Sequence, residues 1–307
     1  MKTIGIIVNT SKPNVAAIVS EASDWLRSKG IRPLVPDEQA AILAIPTEGF
    51  TQEQVATQSD MLIVLGGDGT ILNAAHIPFI EQVPILGVNI GHLGYLTEVA
   101  LTELYPTLTN ILNGNYEIHE RMMLQASLHY QGVLNSFPAD FARKTSERMA
   151  PHGQRETKIR SLALNDVFIK HPSRMIKLET YIDGEYFITY NSDGLIIATP
   201  TGSTAYSLSV GGPIVEPRMD AIILSPIASH ALTVRPFIAH PDSQITVFLR
   251  SDYSGVILAV DHETWPMEPD CVVTVCKADK TIKLIKSKNR SYYEVLRSKL
   301  RWGERGE

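Results

Sequence analysis

Met61-Leu62-Ile63-Val64-Leu65 is an unbroken apolar run of strand length, and it leads straight into Gly66-Gly67-Asp68-Gly69-Thr70. A strand without polar alternation has both faces buried, which is the habit of parallel sheets covered by helices. In open α/β sheets, ligands bind beyond the carboxyl ends of the strands. Glycines there let the backbone approach a phosphate, with N–H groups and a helix N-terminus turned toward it. Asp68 is the odd member of such a turn, because its charge repels an anionic ligand unless it has work of its own. It suits taking a proton from an attacking hydroxyl, or helping to hold a metal ion. The bland alternative is a Gly-rich turn in which Asp68 is a helix N-cap.

The flanking sequence repeats the same alternation. Ile4 to Val8 is a second buried strand. Val15, Ile18, Val19, Ala22, Trp25 and Leu26 share one helical face, and Gly30 stops that helix. Ile31 to Val35 reads as an edge strand because of Pro33. Thr70 to Ile80 reads as helical up to Pro78, and Pro84 to Asn89 as a strand. Leu104, Leu108, Ile111 and Leu112 mark a helix closed by Gly114. This β-α repetition predicts a Rossmann-like parallel α/β domain over residues 1–116.

From residue 117 the texture changes to Val, Ile, Thr and Tyr with recurring turn signals. Strands are predicted at 124–129, 164–169, 176–182, 195–199, 222–225, 244–249, 256–260 and 272–275, with Asp183-Gly184 as a hairpin turn. Residues 117–289 therefore read as a β-rich, sandwich-like domain. Val295, Leu296, Leu300 and Trp302 have helical spacing, so a helix over 290–303 is expected to return to the first domain. Residues 138–160 lack apolar periodicity and carry six Lys and Arg. They read either as a solvated loop or as a basic flap for phosphates.

Composition removes several classes. Lys plus Arg total 28 against 33 Asp plus Glu, a net charge of -5, whereas a dedicated nucleic-acid binder is usually basic. The two cysteines, Cys271 and Cys276, make neither a disulfide framework nor a cysteine metal site. No apolar run approaches the ~18 residues of a membrane span, and the start does not read as a signal peptide. A cytoplasmic location is the expectation. There is no P-loop motif. The Rossmann fingerprint fails because Leu72 stands where Gly67-Asp68-Gly69 needs a Gly or Ala. His-Glu-x-x-His and Gly-x-Ser-x-Gly are both missing.

A second dense segment runs from Asn191 to Pro213. A buried strand enters Thr199-Pro200-Thr201-Gly202-Ser203-Thr204-Ala205-Tyr206-Ser207-Leu208-Ser209, then Gly211-Gly212. Its hydroxyls suit sugar hydroxyls and phosphate oxygens, and Tyr206 is of a size to lie against a base. The alternative is a turn whose hydroxyls cap their own backbone.

Taken together, Gly66 to Thr70 and Asp193 to Pro213 resemble the NAD kinase family. Asn89-Ile90-Gly91-His92-Leu93-Gly94-Tyr95-Leu96-Thr97, Ala163-Leu164-Asn165-Asp166 and Ser225 to Pro236 are similar to further family motifs, in family order. The likeness runs from near the start to about residue 265. The glycine-acid turn alone is shared with diacylglycerol kinases, sphingosine kinases and phosphofructokinases, so the assignment rests on the set. The resemblance implies transfer of a phosphoryl group from ATP, or from inorganic polyphosphate, to the 2'-hydroxyl of the adenosine ribose of NAD. It implies a divalent cation, Mg²⁺, brought with ATP, with no direct protein ligand assigned. A homodimer or homotetramer is implied as well.

Carried over residue by residue, the resemblance makes Asp68 the general base and Gly66, Gly67 and Thr70 the phosphate cradle. It places Gly69, Asn165, Asp166, Arg174, Asp193, Thr204, Ala205, Tyr206 and Ser209 on NAD. The family often has Glu where Asp166 stands, and Asp-Gly where this chain has Asp261-His262. His262 is read as a phosphate or nucleotide contact. The competing readings are a lipid or sugar kinase of the same superfamily, against which Asn165-Asp166 and Thr204-Ala205-Tyr206 argue, and a non-catalytic NAD(H)-binding sensor, which an intact Asp68 disfavours.

Overall fold

The computed structural model describes residues 1–91, 94–97, 99–129, 157–252, 254–269, 271–286 and 291–302. The chain divides into two compact units: Met1–Arg121 with Ile282–Glu307, and Met122–Thr281.

The first unit is built on a parallel sheet in the order Arg32–Leu34, Thr3–Val8, Met61–Gly66, Ile85–Asn89. Every residue of Met61–Gly66 is buried, as its unbroken apolar run predicts. Leu284, near the end of the strand Val272–Lys286, pairs in parallel with Ile85, so the sheet gains a strand from much later in the chain. The registers align Val8, Leu65 and Val88 in one row. The chain thus leaves three neighbouring strands at one edge, at Asn9, Gly67 and Ile90.

Helix Val15–Ser28 buries Val15, Val19, Ala22 and Leu26 against this sheet and stops at Gly30, whose φ of 74° is a left-handed turn. Leu104–Leu112 buries Leu104, Leu108 and Ile111 in the same core. Each such aliphatic side chain contributes about 1.5–3 kcal/mol by leaving water. Helix Tyr292–Leu300 belongs to this unit, is capped by Ser291 and Glu294, and buries Val295 and Leu296.

Two helices here have no counterpart in the sequence reading, Asp37–Leu43 and Gln52–Gln58. Each is seven residues long, too short to display a period. The helix expected from Thr70 starts at Asp68 and ends at Ala75.

The second unit has two antiparallel layers. One runs Glu185–Ser192, Ile176–Ile182, Ile245–Leu249, Val272–Lys286, with Glu117–His129 and Thr157–Ala163 beyond. The other runs Phe237–Ala239, Ile222–Ile227, Gly194–Ala198, Asp166–Lys170, Val256–Val260, Glu263–Met267. Leu124, Leu178, Tyr190 and Val247 from the first layer meet Val167, Ile169, Leu195 and Ile197 from the second. The hairpin at Asp183-Gly184 has φ of 53° and 80°, as a tight turn with two left-handed residues requires.

The strand expected over 164–169 is instead a corner followed by the strand Asp166–Lys170. Leu164 and Asn165 leave the ladder because their N–H groups, and that of Asp166, donate to the carboxylate of Asp261 at 2.8–3.1 Å. Residues 130–156, most of the basic segment, lie outside the described residues. Among the described residues no helix is long and apolar enough to cross a membrane.

Candidate active site

In the first unit, the buried strand Met61–Gly66 delivers Gly67 as the N-cap of helix Asp68–Ala75. Asp68 is therefore the first helical residue and not the cap. Its carboxylate turns away from its own helix onto the turn after Asn89. Oδ1 accepts from the N–H groups of Leu96 and Thr97 and from the Thr97 hydroxyl, each at 3.0 Å. Oδ2 accepts from the Tyr95 N–H at 2.7 Å. The Thr97 hydroxyl also accepts from Asn89 Nδ2 at 2.8 Å and from Gly94 N–H at 3.2 Å. Gly94 is compulsory here, since a Cβ would lie 1.9 Å from Asp68 Oδ1. The Tyr95 phenol is pushed upward in pKa by burial and then by the charge of Asp68.

The glycines of the turn serve different ends. Gly66 is buried, and a Cβ on it would collide with the Thr70 side chain. Thr70 is buried, and its hydroxyl accepts the Gly67 N–H at 3.2 Å. Gly66 and Thr70 thus hold the turn together. Gly67 and Gly69 face open space and are the members positioned to meet a ligand. Asn89, Gly94 and Thr97, which belong to the second glycine motif, hold the Asp68 carboxylate in place. Their link to Asp68 spans up to 29 residues and has no local signal.

In the second unit, the corner Leu164-Asn165 packs on the hydroxyl-rich turn. Thr199 N–H donates to Asn165 O at 2.9 Å, and the Thr199 hydroxyl donates to Leu164 O and accepts from Gly202 N–H. Several hydroxyls expected to face ligand are spent internally. Ser203 donates to Pro200 O and accepts from Val215 N–H, and Ser207 pairs with Ser225. Thr204, Ala205 and Tyr206 remain half-buried, and Ser209 is exposed. Tyr206 packs edge-on against Phe168, ring centroids 5.3 Å apart, with Lys170 Nζ 5.4 Å from its centroid. One side of its ring is therefore already taken.

Asp166 is buried beside Asp261, and its carboxyl is pushed up to about 7, first by burial and then by the Asp261 charge. Asp261, whose φ is 49°, has no role in the sequence motifs, yet it organises the whole corner. His262 follows it and is exposed.

Asp193 and Arg174 lie elsewhere. Gly194 pairs with Lys170 and Ala198 with Asp166, so Asp193 and the loop carrying Arg174 sit at the far end of these strands. Asp193 lies six residues along the strand from the Asn165 corner, roughly 20 Å at ~3.3 Å per residue. The structure brings together Asn165, Asp166, Thr204, Ala205, Tyr206 and the Asp261-His262 turn. It does not add Arg174 or Asp193 to them. Among the described residues no group of three His, Cys, Asp or Glu side chains converges as a metal cage.

The Asp166 carboxyl carries a pH prediction. The unfolded chain releases this proton near 3.8 and the folded chain near 7, so the unfolded state binds fewer protons between those values. Stability therefore falls as pH rises from about 4 to about 7 and stays low above it. Asp166→Asn removes the penalty, which is on the order of 2–4 kcal/mol. Denaturant unfolding should show the variant more stable than wild type at pH 8 and equal to it at pH 4. A gain independent of pH would refute this cause.

An α/β unit whose buried strand Met61–Gly66 ends in a glycine-acid turn, in one chain with a β unit bearing a hydroxyl-rich corner, fits the phosphotransferase class that the relatives define. Residues 4–116 match the family model described as ATP-NAD kinase N-terminal domain, and residues 164–287 match the ATP-NAD kinase C-terminal domain. The chain belongs to the NAD kinase family. It is 40% identical to the NAD kinase of Geotalea daltonii, over 99% of this chain and all of the relative. It is 41% identical to that of Geobacter sulfurreducens, with the same coverage. Among solved structures, yeast NADH kinase complexed with NADH superposes with a TM-score of 0.85 at 23% identity, over 100% of this chain and 89% of that one. An NAD kinase from Archaeoglobus fulgidus in complex with ATP gives 0.72 at 22% identity, over 97% and 98%. At such identities the last two bear on fold alone.

Proposed function

We propose that this chain transfers a phosphoryl group from ATP, or from inorganic polyphosphate, to the 2'-hydroxyl of the adenosine ribose of NAD, giving NADP. The observation that carries this reading is the match to NAD kinases over essentially the whole chain, both domains included. The amino-terminal unit is proposed to take the donor, and the β-rich unit the dinucleotide. The ligands named for the two solved neighbours, NADH and ATP, are of the two classes that this reading assigns.

Phosphoryl transfer asks the protein for positioning and charge management more than covalent chemistry. Asp68 is proposed to accept the ribose proton as the phosphoryl group arrives. A carboxylate oxygen has about two lone-pair sites. Among the described residues Oδ1 serves three donors and Oδ2 one, so Oδ2 is proposed as the atom that takes the proton. The N–H group of Gly69 is proposed to face substrate, whereas that of Gly67 is held by the Thr70 hydroxyl and Gly67 serves the donor phosphates by leaving open space beside the turn. Asn165, Asp166, Thr204, Ala205 and Tyr206 are proposed to hold the dinucleotide, with Ser209 and His262 at its periphery. Arg174 and Asp193 are proposed to touch a remote part of it. A divalent cation, Mg²⁺, enters in this reading with the donor's phosphates, which need only one or two carboxylates in addition. Homo-oligomeric assembly and a cytoplasmic location belong to the same proposal.

The test is NADP formation by the purified protein with NAD or NADH, Mg²⁺, and ATP or polyphosphate in turn, read by an NADP-specific dehydrogenase. NADP from at least one donor is the expected result. No NADP with any of them would sink the kinase reading in favour of a binding protein.

A further inference from the structure

A cavity of about 580 Å³ opens beside the glycine turn, within the size range of small-molecule sites. One wall is Gly67, Gly69 and Thr70. The opposite wall is the turn that follows the first strand, with Asn9, Thr10 and Lys12. Among the described residues of its lining, Lys12 is the one charged side chain, and there is neither a carboxylate nor an aromatic ring. Such a surface fits an anionic chain and offers nothing to stack a base on.

The turn is built to stay in place. The Asn9 side-chain oxygen accepts the Ser11 N–H at 3.0 Å, and its carbonyl accepts the Lys12 N–H at 3.2 Å. Pairing with the edge strand Arg32–Leu34 ends at Gly5, so among the described residues the strand end before Asn9 has no neighbouring strand on that side. The buried side chain of Gln39 takes over, accepting the Val8 N–H at 2.8 Å, and it too lines the cavity.

We propose that the Asn9–Lys12 turn is the second wall of the donor-phosphate site, with Lys12 the charge that meets the phosphate chain and Gln39 a positioning residue for that turn. This rests on the phosphotransfer reading above. It adds donor determinants outside every motif singled out in the sequence, across the cavity from Gly67, Gly69 and Thr70. Lysine acts on phosphate as a point charge, so arginine should replace it in part and methionine not at all.

Two readouts separate this proposal from the kinase reading. In steady-state kinetics, Lys12→Met should raise KM for ATP about tenfold or more, the worth of a hydrogen bond to a charged group. KM for NAD should stay within about twofold, and Lys12→Arg should recover much of the loss. In calorimetry with inorganic tripolyphosphate and no acceptor, Lys12→Met should weaken binding by a similar factor. Gln39→Met should raise KM for ATP while leaving KM for NAD unchanged, and a lowered melting temperature alone would make Gln39 merely structural. Equal tripolyphosphate binding by wild type and Lys12→Met overturns the proposal even if NADP is formed. Weakened tripolyphosphate binding with no NADP formed by wild type would uphold it and sink the kinase reading.

Discussion

Asp68→Asn should lower turnover at saturating NAD and ATP by a factor of about 100 or more, with the protein still folded. An amide has one acceptor atom where the carboxylate has two. If its oxygen keeps the three donors now on Oδ1, its NH₂ group confronts the Tyr95 N–H, donor against donor. That costs about 1–3 kcal/mol, a modest drop in melting temperature. Measuring kcat together with thermal unfolding separates the two roles of this side chain. Loss of stability with kcat within a few-fold of wild type would mean that Asp68 only fastens the turn at 94–97 and that the proton goes elsewhere.

Gly202→Ala should be the most damaging single-methyl change in the β-rich unit. A Cβ there would lie 2.1 Å from the carbonyl oxygen of Asn165, 2.5 Å from its carbonyl carbon and 2.8 Å from its Cα. These are backbone atoms of a corner already fixed by Asp261 and Thr199, so no side chain can swing aside. Overpacking of this kind costs about 1–3 kcal/mol. Because the corner itself must move, KM for NAD should rise about tenfold or more, an effect a 1 Å misplacement readily produces. Unfolding curves and NAD kinetics on the same preparation test this. A destabilised variant with unchanged KM for NAD would remove Asn165 from the dinucleotide site.

Much of the scaffold was legible because it obeys local rules. Met61–Gly66 announces itself by lacking polar alternation, Val15–Ser28 by its period and its terminal glycine, and the hairpin by Asp183-Gly184. The parts that escaped depend on partners far away in sequence. The break before Asp166 is imposed by a carboxylate 95 residues downstream. The orientation of Asp68 is set by backbone groups 27 to 29 residues on. The hydroxyl-rich turn advertised many ligand contacts, yet Ser203 and Ser207 are used to close it, because a buried hydroxyl must be satisfied by whatever lies nearest. Lys12 and Gln39 sit in no motif at all: the pairing of Thr3–Val8 with Met61–Gly66 brings the first strand's turn beside the glycine turn, and the bond from Val8 N–H brings Gln39 there.

The strand Val272–Lys286 re-enters the first unit, where Leu284 joins the sheet beside Ile85 and Ile285 enters the core. Synthesis on the ribosome proceeds from the amino terminus, so the unit that begins first is completed last. Residues 122–281 are continuous and are finished while the first unit still lacks its closing strand. At about 5–20 residues per second, the interval between making residue 121 and residue 285 is roughly 10–30 s. During that interval the Ile85 end of the strand Ile85–Asn89 lacks its neighbour, while Val88 and Asn89 are already paired with Val99–Ala100, and nascent chains stalled before residue 282 should be more sensitive to protease in the amino-terminal unit than chains stalled beyond residue 302.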